Sequence, residues 1–233
     1  MNAGAPAGTV RIPVAGARHL EGNLHLPAGE TPGPGLVIAP GSSYPKEGAI
    51  IESLARQAVP AGWAVLRFDW SYTTYGGGAS SSRKREAAEL EAALAFLGSQ
   101  PACDPNRLVV AGKSLGSAVA YKVFTNHPEL TAAILLTPVF RTAEGAGKTY
   151  AGLAQERRPV LLVTGERDPL NKPPVMAAHL ATAGEHIVTE VVAGDHGLCL
   201  SRRKDPDSQA ANRDNIDAAL ASVVRWLGRS LPA

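Results

Sequence analysis

Residues 108–117 read LVVAGKSLGS and carry the strongest local pattern in the chain. They begin as an apolar run, pass through G-x-S-x-G at 112–116, and lead into an apolar helical run from Ala118 to Phe124. Small residues two positions before and after Ser114 let neighbouring backbone approach a tight strand-to-helix turn. The stretch predicts a nucleophile elbow, with the Ser114 hydroxyl at a helix N-terminus whose N–H groups and dipole stabilise negative charge.

Two other interpretations fit parts of this stretch. A glycine-rich turn between a strand and a helix, with an ordinary N-cap serine, has a similar composition. Gly112-Lys113-Ser114 also matches the end of the phosphate-loop pattern G-x-x-x-x-G-K-[ST]. Arg107 stands where the first glycine of that pattern would fall, and the residues between form a strand rather than a loop. We therefore reject nucleotide binding through this motif.

Further apolar runs bounded by Gly, Pro and Asp lie on both sides of the elbow. Such runs are typical of parallel strands buried on both faces, and they occur at Gly35 to Ala39, Trp63 to Phe68, Ala132 to Leu136, Val160 to Val163 and Ile187 to Val192. Thr9 to Pro13 and Arg18 to Pro27 alternate between apolar and polar residues, as antiparallel strands at a sheet edge do.

Segments with helical periodicity separate these runs. Their apolar faces are Ile51, Leu54, Ala55 and Ala58; Leu90, Ala93, Leu94 and Leu97; and Ile216, Ala219, Leu220, Val223 and Leu227. Strands alternating with helices predict one α/β domain over residues 1–233, with a mostly parallel central sheet flanked by helices. The ligand site of such a sheet lies outside the carboxyl ends of its strands. The Ala-, Gly- and Pro-rich residues 1–8 are expected to be flexible.

A serine hydroxyl needs a histidine base, itself supported by a carboxylate, before it attacks a carbonyl. In proteins with this elbow the order along the chain is Ser, then Asp or Glu, then His. Asp168 follows the strand that begins at Pro159, with Glu166 as a competing carboxylate, and His196 follows the strand that ends at Val192. We predict that Ser114, His196 and Asp168 are nucleophile, base and orienting acid.

The remaining histidines and Asp195 are not assigned to catalysis. None of five histidines follows a strand in the required order: His19, His25, His127, His179 and His186. Asp195 precedes His196 directly, and adjacent side chains rarely face each other well enough to orient an imidazole. We expect it to structure the loop.

Backbone N–H groups are expected to bind the oxyanion. One is that of Leu115, after the nucleophile, and the second comes from the loop after the strand that ends at Ala39. We assign the second to Ser42, with Ser43 as the alternative, and either serine could also donate its hydroxyl.

Composition argues against several classes of protein. Lys plus Arg number 23 and Asp plus Glu 21, so a net charge of +2 gives no reason to expect a nucleic-acid or anionic-membrane partner. Cys103 and Cys199 indicate neither a disulfide framework nor a metal site. No apolar stretch has the length needed to span a bilayer. We expect a cytoplasmic monomer or homodimer that acts on a small molecule and holds no metal.

The motifs G-K-S-x-G at Ser114, G-E-R-D at Asp168 and G-D-H at His196 resemble the small bacterial hydrolases grouped with dienelactone hydrolase, within the α/β-hydrolase superfamily. The resemblance extends from about Thr9 to Leu231. It implies an open eight-stranded sheet whose first strands are antiparallel, and hydrolysis of a carboxylic ester, lactone or related acyl bond without a cofactor.

The chain departs from these relatives in two places. Many members have His-Gly in the oxyanion loop where this chain has Pro40-Gly41. Dienelactone hydrolase uses a cysteine nucleophile, whereas this chain has Ser114, so that particular substrate is not supported.

The segment between Leu136 and Pro159 is too short for the lid domain that many relatives insert there, and we expect a short loop and helix at 140–154. The cleft should be shallow. Its candidate substrate-binding residues, each equally consistent with packing, are Tyr44, Trp70, Tyr72 and Phe140. The loop Tyr75 to Ser82 is either a plain connector or part of the rim of the site.

The leading hypothesis is a serine esterase that works through an acyl-enzyme. A thioesterase or peptidase with the same residues, and a silent binding module on the same fold, are the alternatives.

Overall fold

One sheet of eight strands organises the molecule, for which a computed structural model describes residues 6–16 and 18–231. In chain order the strands are β1 Pro6–Ile12, β2 Leu20–His25, β3 Gly33–Ala39, β4 Ala64–Phe68, β5 Cys103–Lys113, β6 Ala132–Leu136, β7 Val160–Gly165 and β8 Ile187–Val192. Across the sheet the order is β1-β2-β4-β3-β5-β6-β7-β8. The pairs β1–β2 and β2–β4 are antiparallel and the others parallel. The predicted sheet is confirmed, but the run Ile187 to Val192 is not buried on both faces as expected: it forms the edge strand β8, where Val191 is 61% exposed.

Helices cover both faces of this sheet. They are α1 Ala49–Ala58, α2 Ser71–Tyr75, α3 Lys84–Gly98, α4 Leu115–Asn126, α5 Ala143–Thr149, α6 Pro173–His179 and α7 Pro206–Ser230. Val110 of β5 packs in one core cluster with α3 and α4, whereas Val109 and Ala111 pack on the opposite face with α1 and α7. Successive strand residues thus enter different cores, which is why the central strands are continuously apolar.

The long C-terminal helix shows how local sequence sets an element. The Asp205 side chain accepts a hydrogen bond from the Ser208 N–H at 2.9 Å, and Pro206 supplies the first residue of α7. Both choices favour helix initiation. The predicted apolar stripe from Ile216 to Leu227 is buried against β5 and its neighbours.

Only the short helix α5 and a 3-10 turn lie between β6 and β7, so no separate cap domain is inserted in this described segment. Thr142 begins α5 by accepting a hydrogen bond from the Gly145 N–H at 3.1 Å. The carboxyl ends of β5, β7 and β8 therefore stay open at one edge of the sheet.

The flexibility expected of residues 1–8 falls largely on 1–5, which lie outside the described residues, while residues 6–8 begin the edge strand β1. In the described part of the chain, no helix combines the length and apolarity that crossing a membrane requires. Within residues 6–16 and 18–231, no group of three His, Cys, Asp or Glu side chains is placed to hold a metal ion. Cys103 is buried and Cys199 half-buried, both as free thiols.

Candidate active site

Ser114 occupies a strained turn between β5 and α4. Its φ is 55° and its ψ is −112°, a region that a side chain adopts only when the surrounding structure imposes it. Close backbone contacts impose it here. A Cβ on Gly112 would lie 2.1 Å from the Gly116 carbonyl oxygen, and one on Gly116 would lie 2.4 Å from that of Ala39. The two glycines of the motif are therefore required by packing around the serine.

The structure brings the three side chains predicted for catalysis into one hydrogen-bonded row. The His196 Nε2 lies 2.9 Å from the Ser114 Oγ, and its Nδ1 lies 2.7 Å from Oδ2 of Asp168. With the proton on Nδ1, the imidazole donates to Asp168 and leaves Nε2 free to accept the serine proton. This geometry allows a histidine to accept a serine proton while a carboxylate orients the ring.

Asp168 is held firmly behind the histidine. The residue is 4% exposed, and its Oδ1 accepts a hydrogen bond from the Leu170 N–H at 2.8 Å. One carboxylate oxygen thus fixes the turn while the other faces the imidazole. Glu166, the competing carboxylate, lies on the surface with half of its side chain exposed, beside Arg167.

The loop that carries His196 is fixed by its neighbours. Asp195 accepts hydrogen bonds from the N–H groups of Gly197 at 2.8 Å and Cys199 at 3.2 Å. Although burial opposes the shift, these bonds hold the pKa of Asp195 below its usual value. Asn215 of α7 donates to the carbonyl oxygens of Ala193 and Leu198 at 2.8 and 2.9 Å. Asp195 therefore has the loop-structuring place expected of it.

The loop after β3 lies directly against the elbow. A Cβ on Gly116 would be 2.5 Å from the Pro40 carbonyl oxygen, and that oxygen accepts a 3.0 Å hydrogen bond from the Trp70 indole N–H. Leu115 begins α4, so its N–H has no carbonyl partner within the helix. The exposed residues Ser42 and Ser43 follow in the adjoining loop. The expected oxyanion donors thus belong to two abutting segments.

A buried ion pair, which the sequence analysis missed, anchors the far end of that loop. Asp69 accepts from the Lys46 backbone N–H at 2.8 Å and from its Nζ at 2.7 Å. Arg67 donates to the Lys46 carbonyl oxygen at 3.0 Å. A carboxylate directly after the apolar strand β4 was a visible signal for Asp69, whereas no local pattern marks Lys46.

Ser114 opens into a cavity of about 680 Å³ that runs along α4. The volume is within the range of small-molecule sites. Its walls are the α4 side chains, the residues Ser81 to Arg83 before α3, Val139, and the segment 148–151. Ser81 and Ser82 belong to the loop Tyr75 to Ser82, for which the sequence allows either a plain connector or part of the rim. Both residues line the cavity, at its rim.

Three of the four expected substrate-binding side chains are in the core, which corrects that expectation. Trp70 and Phe140 are fully buried and Tyr72 is 7% exposed. Trp70 packs edge-on against Phe68, and Phe140 stacks on Tyr150 with centroids 4.8 Å apart. Tyr44 is half-buried on the α1 side of the sheet, where its hydroxyl accepts from the Ile50 N–H at 2.9 Å. None of the four lines the cavity beside Ser114.

Tyr150 supports the elbow from behind. Its hydroxyl accepts from the Val139 N–H at 3.2 Å and lies 2.9 Å from the Ser117 hydroxyl, which in turn donates to the Ser114 carbonyl oxygen at 2.6 Å. Because the Ser117 hydroxyl proton is used in the bond to Ser114, the Tyr150 O–H donates to the Ser117 oxygen. Burial raises the pKa of Tyr150 to about 12, so the phenol keeps this proton at neutral pH.

Lys113, the residue before the nucleophile, points away from the cavity. It is 5% exposed, and its ammonium lies 4.9 Å from the centre of the Tyr44 ring. Burial lowers its pKa to about 8, although the negative charges of Asp168 and Asp195 oppose the shift. A cation thus lies near the loops that carry Asp168 and Asp195.

An open eight-stranded sheet with a serine at its nucleophile elbow defines the class of α/β hydrolases. A family model described as alpha/beta hydrolase domain matches residues 33–228, and the chain belongs to this family. No curated protein matches the sequence.

Many solved structures share the fold. An esterase domain from Rhodothermus marinus has a TM-score of 0.71 at 21% identity, covering 95% of this chain and 97% of its own. Dienelactone hydrolase from Anabaena variabilis has a TM-score of 0.71 at 18% identity, and the match covers 99% of this chain and 100% of that one. An alpha-beta serine hydrolase homologue from Coxiella burnetii has a TM-score of 0.72 at 17% identity, and the match covers 94% of this chain and 98% of that one. At these identities the likeness shows the fold.

Proposed function

We propose that this hydrolase cleaves carboxylic esters through an acyl-enzyme on Ser114. The observation that carries the proposal is the row of hydrogen bonds from Ser114 through His196 to the buried Asp168, at 2.9 and 2.7 Å. The esterase and dienelactone hydrolase among the structural neighbours are consistent with it.

The mechanism follows from the positions of the protons. His196 Nε2 takes the hydroxyl proton as the Ser114 oxygen attacks the ester carbonyl, and Asp168 stabilises the imidazolium that forms. The N–H groups of Leu115 and Ser42 bind the negative oxygen of the tetrahedral intermediate, where the N-terminus of α4 adds to the stabilisation. The intermediate collapses when His196 gives the proton to the leaving alkoxide. Water then attacks the acyl-enzyme by the same steps and releases the acid.

The test is hydrolysis of 4-nitrophenyl acetate and butyrate by the purified protein and by Ser114→Ala and His196→Ala. Each variant should lose several orders of magnitude in kcat, because the residues act as a unit. The matched controls are Ser99→Ala, at an exposed residue, and His127→Ala, at a half-buried residue whose ring contacts Glu91 and Glu129. Neither residue lines the cavity, so both variants should keep wild-type rates. Circular dichroism confirms that each variant is folded.

Two results would contradict the proposal. Unchanged activity in Ser114→Ala and His196→Ala would refute the roles assigned to them. A folded wild type that neither hydrolyses the esters nor reacts with a fluorophosphonate probe at Ser114 would favour a binding module. Parallel assays with matched thioester and peptide substrates separate esterase activity from the related acyl transfers.

A further inference from the structure

The cavity beside Ser114 is lined by charge of one sign. Its lining side chains include Arg83, Lys122 and Lys148, and among the described residues no aspartate or glutamate lines it. The net charge of the whole chain is only +2, so this concentration is local. Cationic walls raise the local concentration of anionic ligands and strengthen their binding.

Two of these cations are available to a ligand. The Lys122 Nζ donates to the Ser82 carbonyl oxygen at 3.3 Å, and Arg83 donates to the Ser80 carbonyl oxygen. Both partners are neutral. In the part of the chain that the structure describes, neither side chain forms an ion pair with a carboxylate, whereas Lys148 pairs with Glu144 at 2.5 Å. Lys122 and Arg83 are therefore the stronger candidates for holding an anion.

Hydrogen bonds fix the segment of the cavity wall that carries Arg83. Glu86 is fully buried and accepts from the Ser80 N–H at 2.8 Å and from its hydroxyl at 2.5 Å. These bonds tie the segment before Arg83 to the first turn of α3. The cation is thus held over the cavity by a buried carboxylate that itself lies outside the lining.

The cavity is apolar near the nucleophile and cationic farther away. Leu115 and Ala118 follow Ser114 on α4, and Val139 also lines the cavity. Lys122 comes eight residues after Ser114, which at 1.5 Å per residue places its backbone about 12 Å along the helix axis. A ligand that spans this distance needs an apolar middle and an anionic end.

The position of His196 indicates which part of an ester occupies this space. The leaving oxygen must lie within hydrogen-bond reach of the His196 Nε2 to receive its proton. His196 does not line the cavity, so the alcohol side remains at the histidine. The acyl chain then extends along α4 toward Lys122.

We propose, on the basis of the function proposed above, that the preferred substrates are esters whose acyl chain ends in an anion such as a carboxylate. Lys122 and Arg83 bind this distal anion, while Leu115, Ala118 and Val139 contact the chain between the anion and the ester. The two cations are specificity-determining residues and take no part in the bond-breaking steps.

The kinetic test compares mono-4-nitrophenyl suberate with 4-nitrophenyl octanoate, which differ in the terminal carboxylate. Wild type should have a kcat/KM for the suberate at least tenfold above that for the octanoate. Lys122→Met removes the charge and keeps an apolar stem, so it should lower this ratio about three- to tenfold. Lys84→Met, an exposed lysine outside the lining, should leave the ratio unchanged. Added salt should lower the wild-type ratio.

The outcomes separate this inference from the proposed function. A wild-type ratio near one, with octanoate hydrolysis that depends on Ser114, would overturn the anionic preference and leave the esterase intact. If neither ester is hydrolysed, titration calorimetry on Ser114→Ala with monomethyl and dimethyl suberate tests the anion site directly. Tighter binding of the monoanion that is lost in Ser114→Ala/Lys122→Met supports it, and equal binding of the two esters rejects it.

Discussion

Lys113→Met should stabilise the protein by an amount that depends on pH. Burial lowers the pKa of Lys113 to about 8 from 10.5, although nearby negative groups oppose the shift. At about 1.4 kcal/mol per pH unit, keeping the ammonium in the folded chain costs about 3 kcal/mol. Methionine is similar in length and uncharged, so the variant avoids this cost while occupying much the same space.

The sign of the pH dependence follows from proton binding. Because the pKa is lower in the folded chain, the unfolded chain binds more protons between pH 8 and 10.5, and wild-type stability rises over this interval. Lys113→Met lacks the group and its pH dependence. The variant should be more stable than wild type by about 3 kcal/mol at pH 7 and by about 1 kcal/mol at pH 10.

Urea unfolding followed by tryptophan fluorescence at both pH values measures the difference. Lys204→Met, at an exposed lysine, is the matched control and should stay within about 0.5 kcal/mol of wild type throughout. A gain in stability that is the same at pH 7 and pH 10 would refute the reasoning. So would a Lys113→Met protein less stable than wild type at pH 7, because the cation–π contact with Tyr44 would then outweigh burial.

Three further substitutions test the support of the site. Gly116→Ala places a Cβ 2.4 Å from the Ala39 carbonyl oxygen, so it should displace the oxyanion loop and lower kcat by at least about 100-fold; steady-state kinetics with near-wild-type activity would contradict this. Tyr150→Phe removes the partner of the Val139 N–H and should cost about 1–3 kcal/mol in urea unfolding, whereas an unchanged midpoint would show that these bonds contribute nothing. Asp69→Ala leaves Lys46 buried without its carboxylate and should cost about 3–5 kcal/mol; Glu47→Ala, the exposed partner of Lys46, is the control and should cost about 1 kcal/mol at most.

Short-range pattern was enough to predict most of the sheet and the elbow. The apolar runs that predicted strands all lie within observed strands or overlap them. For β3 to β7 the reason is burial on both faces, which leaves few polar positions to blur the signal, whereas β8 lies at the sheet edge and is half-exposed. The signal of G-x-S-x-G between a strand and a helix is equally local, because Gly112 and Gly116 are required by close backbone contacts around Ser114. Chain order then singled out Asp168 and His196, whose parallel strands end at the same edge of the sheet.

The walls of the cavity could not be predicted in this way. Trp70 and Phe140 both follow strand ends, yet each turns into the core, because neighbours distant in sequence such as Pro40 and Tyr150 receive their side chains. The cavity itself joins α4 to residues 81–83 and 148–151, which no local periodicity connects.

Local sequence thus determined the turn that presents Ser114 and the loops that bring Asp168 and His196 to it, since strand, turn and helix depend on contacts within a few residues. The tertiary structure alone decided what surrounds Ser114: which aromatic rings are buried, which lysine is buried near Asp168, and which cations line the cavity. These depend on how separate segments pack against one another, and that packing is set by long-range contacts that leave no periodic trace in the chain.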